Sequence, residues 1–365
     1  MIPVSTPSLG KKELEYITDA VETNWISSKG GYIESFEKKF AEYCGVKYGI
    51  ATNTGTAALH LALVCLGIGK GDEVIVPNFT MISSALAVQY TGATPVFIDA
   101  EEDTWNIDAS KIEDKINKNT KAIMPVHIYG HPCDMDKINK LAEKYKLFVI
   151  EDAAEAHGAE YNKKKAGSLG DVGCFSFYAN KLITTGEGGM IVTNDKKIYD
   201  RAKSLRDLAF GDEQRFLHKE VGFNYRMTNM QAAIGVGQMT KIDKFLDIKR
   251  KNAKYYSHLL KRLKTINLPV EKKVKNSYWM YGITIKENSK LSRDEIRKKL
   301  YDEGIDTRDF FMPMNEQPFF KHLQSDEDFP VSKKLSQTGL YLPSGLSLNK
   351  KVILDICNKL KGLYE

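Results

Sequence analysis

Short apolar runs alternate with amphipathic segments along the first two thirds of the chain. The apolar runs predict strands, and the segments whose apolar residues recur at helical spacing predict helices. The predicted strands are Tyr48–Thr52, Glu73–Pro77, Thr94–Asp99, Thr120–Val126, Lys146–Glu151, Gly173–Tyr178 and Met190–Thr193. The predicted helices are Lys11–Asn24, Ile33–Cys44, Ala57–Leu66, Met135–Tyr145 and Lys196–Arg206, with a helix of small residues opening at Asn78 to Met81. This alternation predicts an α/β domain built on a mostly parallel sheet between helices.

The pattern changes toward the C-terminus. A long charged helix begins at about Ile242, and it is followed by a strand-like run, Tyr278–Ile285, and helices at Ser292–Glu303 and Lys350–Tyr364. These elements predict a smaller C-terminal α+β domain. A chain of 365 residues suits two domains, so we predict a large domain over 1–249 and a small domain over 250–365.

Two segments near the end of the large domain differ from the rest. Ala209–Glu220 shows no regular period and is predicted to be irregular. The helix predicted at Asn229–Met239 is rich in Ala and Gly, so it can pack closely against another helix or another subunit.

Composition excludes several classes of protein. The 53 basic and 47 acidic side chains are interspersed, without a basic stripe among aromatic residues, which argues against nucleic-acid binding. The net charge of +6 still suits phosphorylated or nucleotide-bearing substrates. Five scattered cysteines without CxxC spacing indicate neither disulfides nor a zinc site, and predict a reducing cytoplasm. The chain shows no signal-peptide pattern and no run approaching the ~20 apolar residues of a membrane span.

One lysine lies between two apolar strands. Lys181 follows the run that ends at Tyr178 and precedes a glycine-rich bend, Gly186 to Gly189. Most lysines are solvated surface charges. An amine partly desolvated between strands has a lowered pKa and is more nucleophilic. The position therefore predicts a Schiff-base lysine.

Other groups follow strand ends and leave alternatives open. Gly55 and Thr56 begin a helix directly after a strand, which can be an anion site or an ordinary capped helix. The acidic run from Glu151 to His157 either caps a helix or faces a ligand. His127 and His131 fit hydrogen-bonded loop residues better than ligands, and no spacing among the histidines predicts a metal site.

A lysine, a carboxylate and an anion site are together what pyridoxal 5′-phosphate (PLP) requires. In these features the chain resembles the nucleotide-sugar aminotransferases, which are fold-type I PLP enzymes of bacterial surface-sugar synthesis. The resemblance covers essentially the whole chain and includes the runs WISSKG, TNTGTAALHLAL, VIEDAAEAHGA, GSLGDVGCFSFYANKLITTGEGGM and VGFNYRMTNMQAAIG. Within the family it is most similar to members that aminate the 4-keto group of a GDP-linked 4-keto-6-deoxy sugar.

The resemblance implies a role for each cofactor-facing residue. Lys181 would form the Schiff base and afterwards move the proton, and Asp152 would pair with the pyridinium nitrogen. Glu155 would reach the phenolic oxygen, where a shared proton implies coupled titration. The remaining contacts would be Gly55, Thr56 and Ser176 to the phosphate, Met81 to the ring, and Asn224 from a neighbouring subunit, which requires a homodimer with shared active sites.

The resemblance also implies a substrate site and shows three departures. The implied substrate contacts are Trp25, Ser27, Asn180, Glu187, Arg226, Arg308 and Asn315. Taken as an isolated loop, Trp25 to Gly31 is more often a plain connector, although a Trp among small polar residues can also line a ligand pocket. Relatives carry an aromatic residue where this chain has Met81, whose sulfur can also pack on a ring. They carry histidine where it has Asn315 and glycine where it has Ala179. The last two lie near the acceptor.

The predicted function is a PLP-dependent aminotransferase with two half-reactions. L-Glutamate is the predicted donor, and a ketone on a nucleotide-linked 4-keto-6-deoxy sugar is the predicted acceptor. An alternative acceptor is a different ketone of a surface-polysaccharide pathway, such as a small phosphorylated ketone or a keto-sugar acid, which Met312 and Asn315 favour. A PLP-dependent dehydratase is disfavoured because such relatives replace the lysine with histidine. A non-catalytic PLP-binding sensor would be expected to lose Lys181 or Asp152.

Overall fold

The computed structural model describes residues 1–211, 214, 216–218 and 220–364. Its strands are β1 Tyr48–Thr52, β2 Glu73–Pro77, β3 Thr94–Ile98, β4 Thr120–Ile123, β5 Phe148–Asp152, β6 Glu160–Tyr161, β7 Lys164–Lys165, β8 Val172–Ser176, β9 Gly189–Thr193, β10 Ile266–Asn267, β11 Val274–Lys275, β12 Tyr281–Ile285, β13 Arg308–Asp309 and β14 Gly339–Leu342. Its α-helices are α1 Lys11–Glu22, α2 Gly31–Cys44, α3 Gly55–Cys65, α4 Ser83–Tyr90, α5 Met135–Tyr145, α6 Lys196–Arg206, α7 Asn229–Met239, α8 Ile242–Leu260, α9 Arg293–Asp302, α10 Pro330–Thr338 and α11 Lys350–Gly362.

The main sheet contains seven strands in the order β1-β9-β8-β5-β4-β2-β3. Strand β9 runs antiparallel to β1 and β8, and the other neighbouring pairs are parallel. The mostly parallel mixed sheet between helices expected from the sequence is therefore confirmed. The carboxyl ends of β1, β2, β4, β5 and β8 meet at one edge, where ligands bind in sheets of this kind.

Helices cover both faces of this sheet. The buried residues of α3 pack with Val74, Ile150 and Ile191 on one side. On the other side Phe36 and Phe40 of α2 pack with Phe175 and Val192. Such burial on both faces explains why the central strands are almost entirely apolar.

The small residues of α7 are used inside the subunit. A Cβ atom on Gly235 would lie 2.8 Å from the Phe36 ring, and one on Gly237 would lie 3.0 Å from Glu13. The first contact is closer than a Cβ atom tolerates and the second is unusually tight, so glycine lets α1 and α2 lie close against α7. The Ala/Gly composition is therefore explained by packing against two helices of the same chain.

A second sheet of four strands, in the order β10-β12-β14-β13, lies in the C-terminal part. Helix α8 joins the two parts, since Phe245 and Leu246 belong to the core of the main sheet and Tyr256 and Leu260 to that of the second. The N-terminus also contacts the C-terminal part, because Ile2 forms a β-bridge with Ile305. The domain division near residue 249 stays a prediction.

Some element boundaries differ from the sequence prediction. The helix expected to open at Asn78 begins only at Ser83, because the backbone and side chain of Asn78 bond instead to Ile98, Met314 and Asn315. The strand expected to start at Tyr278 starts at Tyr281, since Tyr278 has a φ of 50° that no strand accommodates. Within the irregular segment predicted over Ala209–Glu220, Asp212, Glu213, Arg215 and Lys219 lie outside the described residues. Among the residues described, no helix has both the length and the apolar character to cross a membrane.

Candidate active site

A cavity of about 460 Å³ opens at the carboxyl edge of the main sheet. It is lined by segments that follow β1, β2, β4, β5 and β8 and by residues of the C-terminal part. Ten of the residues predicted from the sequence line it, namely Gly55, Thr56, Met81, Asp152, Glu155, Ser176, Asn180, Lys181, Glu187 and Arg308. The fold thus brings together most of the predicted site.

Lys181 presents its amine to this cavity while its side chain is only 10% exposed. The amine lies 3.8 Å from a Glu155 carboxylate oxygen and 3.8 Å from the centre of the Trp279 ring. Burial lowers the pKa of Lys181, and the charges of Glu155 and Asp152 oppose that shift in part. The amine is therefore more readily deprotonated than a surface lysine, as the sequence position predicts.

Asp152 ends β5, and its carboxylate has two donors. The Ser84 hydroxyl donates at 2.7 Å and the Ala154 amide at 3.2 Å. Burial raises the pKa of Asp152 despite these hydrogen bonds. A buried carboxylate with so little compensation favours a positive partner, such as a protonated ring nitrogen, in front of it.

Glu155 is also buried, and burial raises its pKa to about 7. The Tyr129 amide donates to it at 2.7 Å, from a residue whose φ of 51° turns the backbone toward the carboxylate. Near neutral pH the side chain therefore carries a proton part of the time. Such a group can donate a hydrogen bond to an oxyanion. This is what the predicted sharing of a proton between Glu155 and the phenolic oxygen requires.

The start of α3 comes very close to the end of β8. A Cβ atom on Gly55 would lie 2.7 Å from the Ser176 Cβ, so only glycine fits there. Thr54 caps the helix by accepting from the Ala57 amide, and the Thr56 hydroxyl donates to Ser83 at 2.9 Å. Thr54 therefore caps the helix, and the amides at this helix N-terminus, beside two hydroxyls at the cavity, can in addition bind an anion.

These groups fit PLP. A nucleophilic amine, a buried carboxylate and an anion site share one cavity, and Asn180 Oδ1 is buried there without a hydrogen-bond partner among the described residues. Lys181 would hold the aldehyde end, Asp152 the ring nitrogen and Gly55, Thr56 and Ser176 the phosphate. Met81 is 46% exposed at the mouth, where it can cover a ring face.

Five predicted site residues lie outside the lining of this cavity: Trp25, Ser27, Asn224, Arg226 and Asn315. Trp25 and Ser27 bond through their carbonyls to Asn229, and Arg226 pairs with Asp207 at 2.5 Å. Asn315 is 2% exposed, and its side-chain oxygen accepts from Asn78 at 2.7 Å. Asn315 thus braces the segment after β2 in this subunit.

Three contributors were missed by sequence reasoning. Trp279 covers the Lys181 amine, Ser84 holds Asp152, and the Tyr129 amide holds Glu155. Ser84 follows a strand end and could have been suspected from that position. No local signal marks Trp279, since it belongs to the C-terminal part and its partners Lys181 and Asn180 lie far away in the chain, beside the main sheet.

The fold and these groups define the site of a PLP-dependent aminotransferase. Residues 7–361 match the model of the DegT/DnrJ/EryC1/StrS aminotransferase family, and the chain belongs to that family. It is 45% identical over 364 residues to GDP-perosamine synthase of Escherichia coli O157:H7, covering 100% of this chain and 99% of that protein. It is 47% identical over 351 residues to GDP-perosamine synthase of Caulobacter vibrioides, covering 96% and 94%.

A solved structure agrees with this assignment. DesV of S. venezuelae, in complex with a ketimine intermediate, superposes with a TM-score of 0.91 at 34% identity, covering 97% of this chain and 94% of that one. The family, the fold class, the cofactor and the aminotransferase activity expected from the sequence are therefore confirmed.

Proposed function

We propose that this aminotransferase moves the amino group of L-glutamate to the keto group of a GDP-linked 4-keto-6-deoxy sugar, as a GDP-perosamine synthase does, for surface polysaccharide synthesis. The supporting observation is the 45% identity over essentially the whole length of a protein of that name. The five cysteines are free, which suits a cytoplasmic enzyme.

When bound, PLP supplies an aldehyde and an electron sink for the bond that is broken at the amino-bearing carbon. Asp152 would keep the ring nitrogen protonated, since a buried carboxylate favours a cation beside it. Glu155 would donate a hydrogen bond to the phenolic oxygen. Gly55, Thr56 and Ser176 would hold the phosphate end and so keep the ring beside Lys181.

Once substrate binding has freed it, the Lys181 amine would take the proton from the amino-bearing carbon of the substrate and deliver it to C4′ of the cofactor. Its lowered pKa suits this work, because lowering the pKa raises the fraction of the amine that is unprotonated and able to accept a proton. The Trp279 ring, which lies 3.8 Å from the amine, would limit the access of water to that step. Arg308 and Glu187 line the cavity, where they would contact the acceptor.

We also propose a homodimer with shared sites. Trp25, Ile26 and Val221 are large apolar residues exposed by 56%, 49% and 83%, and Asn224 and Arg226 follow Val221 in the chain. A second copy covering these residues would bury them and would bring Asn224, Arg226, Trp25 and Ser27 to the partner's cavity. Light scattering of the purified protein tests the stoichiometry, and a monomer that is fully active contradicts it.

Acceptor and donor can be tested in one experiment. The purified enzyme, loaded with the amino form of the cofactor, is mixed with GDP-4-keto-6-deoxymannose, the dTDP- and UDP-linked 4-keto sugars, or a small phosphorylated ketone. Return of the visible cofactor band and the mass of the aminated product report turnover. The GDP-linked sugar should react fastest, and L-glutamate should reset the enzyme while releasing 2-oxoglutarate.

A different acceptor is the second candidate. Asn315 braces the segment after β2 and Met312 is 52% exposed, so neither supplies the charged contact to the acceptor that histidine could make. Faster turnover of the phosphorylated ketone than of every nucleotide sugar would establish this alternative. If no ketone reacts, the proposed function fails, and a PLP-binding sensor takes its place.

A further inference from the structure

A second buried lysine lies outside the cavity. Lys249, in the middle of α8, is 4% exposed. Its amine donates to the carbonyl of Trp279 at 2.8 Å and to that of Ser344 at 2.5 Å. No carboxylate among the described residues pairs with it. A lysine is rarely buried without a charged partner, so this one has a reason to be there.

The carbonyl that Lys249 holds belongs to the residue that covers Lys181. The Trp279 ring lies over the Lys181 amine at 3.8 Å, and its indole N–H donates to the Asn180 carbonyl at 2.8 Å. One contact therefore holds the backbone of Trp279 and another holds the end of its side chain. These two hydrogen bonds, together with stacking against Tyr129, restrict the position and the tilt of the ring.

The backbone just before Trp279 has a strained conformation that depends on contacts with neighbouring residues. Tyr278 has a φ of 50°, which costs energy in a residue with a large side chain. The Tyr278 amide donates to Asn276 Oδ1 at 2.7 Å, and the Ser277 amide donates to Gly130 at 3.0 Å. A strained segment such as this one keeps its shape only while its neighbours hold it, and Lys249 holds its last residue.

We propose that Lys249 is a positioning residue for the transamination site, acting through Trp279, whose ring stabilises the protonated form of the freed Lys181 amine and restricts where that amine lies. The proposal rests on the proposed role of Lys181 in the reaction. The ring face attracts an ammonium group, and the attraction is stronger in a site that excludes water. The charges of Glu155 and Asp152 act on Lys181, and the charge of Lys181 acts on the buried His157. The hydrogen bonds of the Lys249 amine go to the carbonyls of Trp279 and Ser344 and to none of these three groups.

The test follows the reactivity of the Lys181 amine in the full-length protein. Formaldehyde with cyanoborohydride methylates free amines, and peptide mass spectrometry gives the rate at Lys181 as a function of pH. The plateau at high pH reports access to the amine, and the rate at pH 8 divided by that plateau reports the fraction of free amine. Saturating PLP should block the reaction at Lys181 in every variant.

In Trp279→Leu the ratio of the methylation rate at pH 8 to the plateau rate should rise about fivefold, because no aromatic ring then stabilises the protonated amine. Trp279→Phe keeps an aromatic face and should change the ratio less. Lys249→Met should raise it nearly as much as Trp279→Leu, and the double variant should equal Trp279→Leu alone. The matched control is Lys251→Met, the same substitution at an exposed position of α8, which should change nothing.

Two failures can be told apart. If Lys249→Met lowers the melting temperature but leaves the ratio as in the wild type, Lys249 is only structural and the proposal is overturned. A double variant whose effect is the product of the two single effects overturns the route through Trp279. If PLP leaves Lys181 open to methylation, the proposed role of Lys181 fails instead.

Discussion

Lys181 and Lys249 are both almost fully buried, and burial lowers the pKa of each, that of Lys249 to about 7. Their surroundings differ. Lys181 faces a cavity and two carboxylates, whereas Lys249 is held by two main-chain carbonyls. Desolvation alone therefore does not make a lysine reactive. Reactivity needs space for a second molecule and charges that can exchange protons with the amine.

The sharpest contrast between the two lysines comes from removing each amine. Lys181→Ala should lose turnover by about 10³-fold or more, since the group that moves the proton is gone. The visible band of the cofactor attached at Lys181 should vanish in the same variant. Lys249→Met should retain that band and stay within about tenfold of wild-type turnover, because no reacting atom touches its side chain. Assays of both variants under one set of conditions provide the measurement, and an active Lys181→Ala enzyme would refute the assignment.

The two carboxylates distinguish the surroundings of Lys181 from those of Lys249. Of the two, Asp152 should contribute more to turnover than Glu155. Asp152→Asn keeps the shape and the Ser84 contact but removes the charge that favours a protonated ring nitrogen. Loss of that charge should lower kcat by about 10² to 10³-fold while PLP still binds. Stopped-flow absorbance separates the two effects. A variant with normal kcat would mean that Asp152 only fills space.

Lys249 should make the unfolding free energy of the protein depend on pH. Its pKa is about 7 in the folded protein and near 10.5 when unfolded, so the unfolded chain binds more protons between these values. Folding stability from this group therefore rises with pH across that window, by at most ~1.4 kcal/mol per pH unit, and is lost as pH falls toward 7. The unfolding free energy of the wild type minus that of Lys249→Met should therefore increase from pH 7 to pH 9.5. An equal difference at every pH would show that Lys249 stays charged.

The smallest effect is expected at Glu155. Glutamine has the same shape and donates a hydrogen bond at any pH, whereas Glu155, with a pKa of about 7, donates only while it is protonated. The PLP affinity of the wild type should weaken relative to Glu155→Gln as pH rises from 6 to 8, by less than about tenfold. Titration of the cofactor at each pH measures that ratio. A ratio independent of pH would mean that Glu155 does not meet the phenolic oxygen.

Much of the site could be predicted because its parts are local in the chain. Gly55, Asp152 and Lys181 each follow an apolar strand, and parallel strands bring their carboxyl ends to one edge. The departures from prediction involve long-range pairs. Asn315 bonds to Asn78 from 237 positions away, and Trp279 reaches Asn180 from 99 positions away. Helix α7 was open to either an internal or an external partner, and only the structure shows Phe36 against Gly235.

The sequence by itself determined the class of fold and the cofactor chemistry, and it predicted the lysine that would carry that chemistry, because strand periodicity and motif spacing are properties of neighbouring residues. The tertiary structure decided which buried groups face a cavity and which are enclosed. Lys249 looks like any charged helix residue in the sequence, and it is buried only because Trp279 and Ser344 pack over it. Burial depends on contacts between distant segments, and so does the chemistry that burial permits.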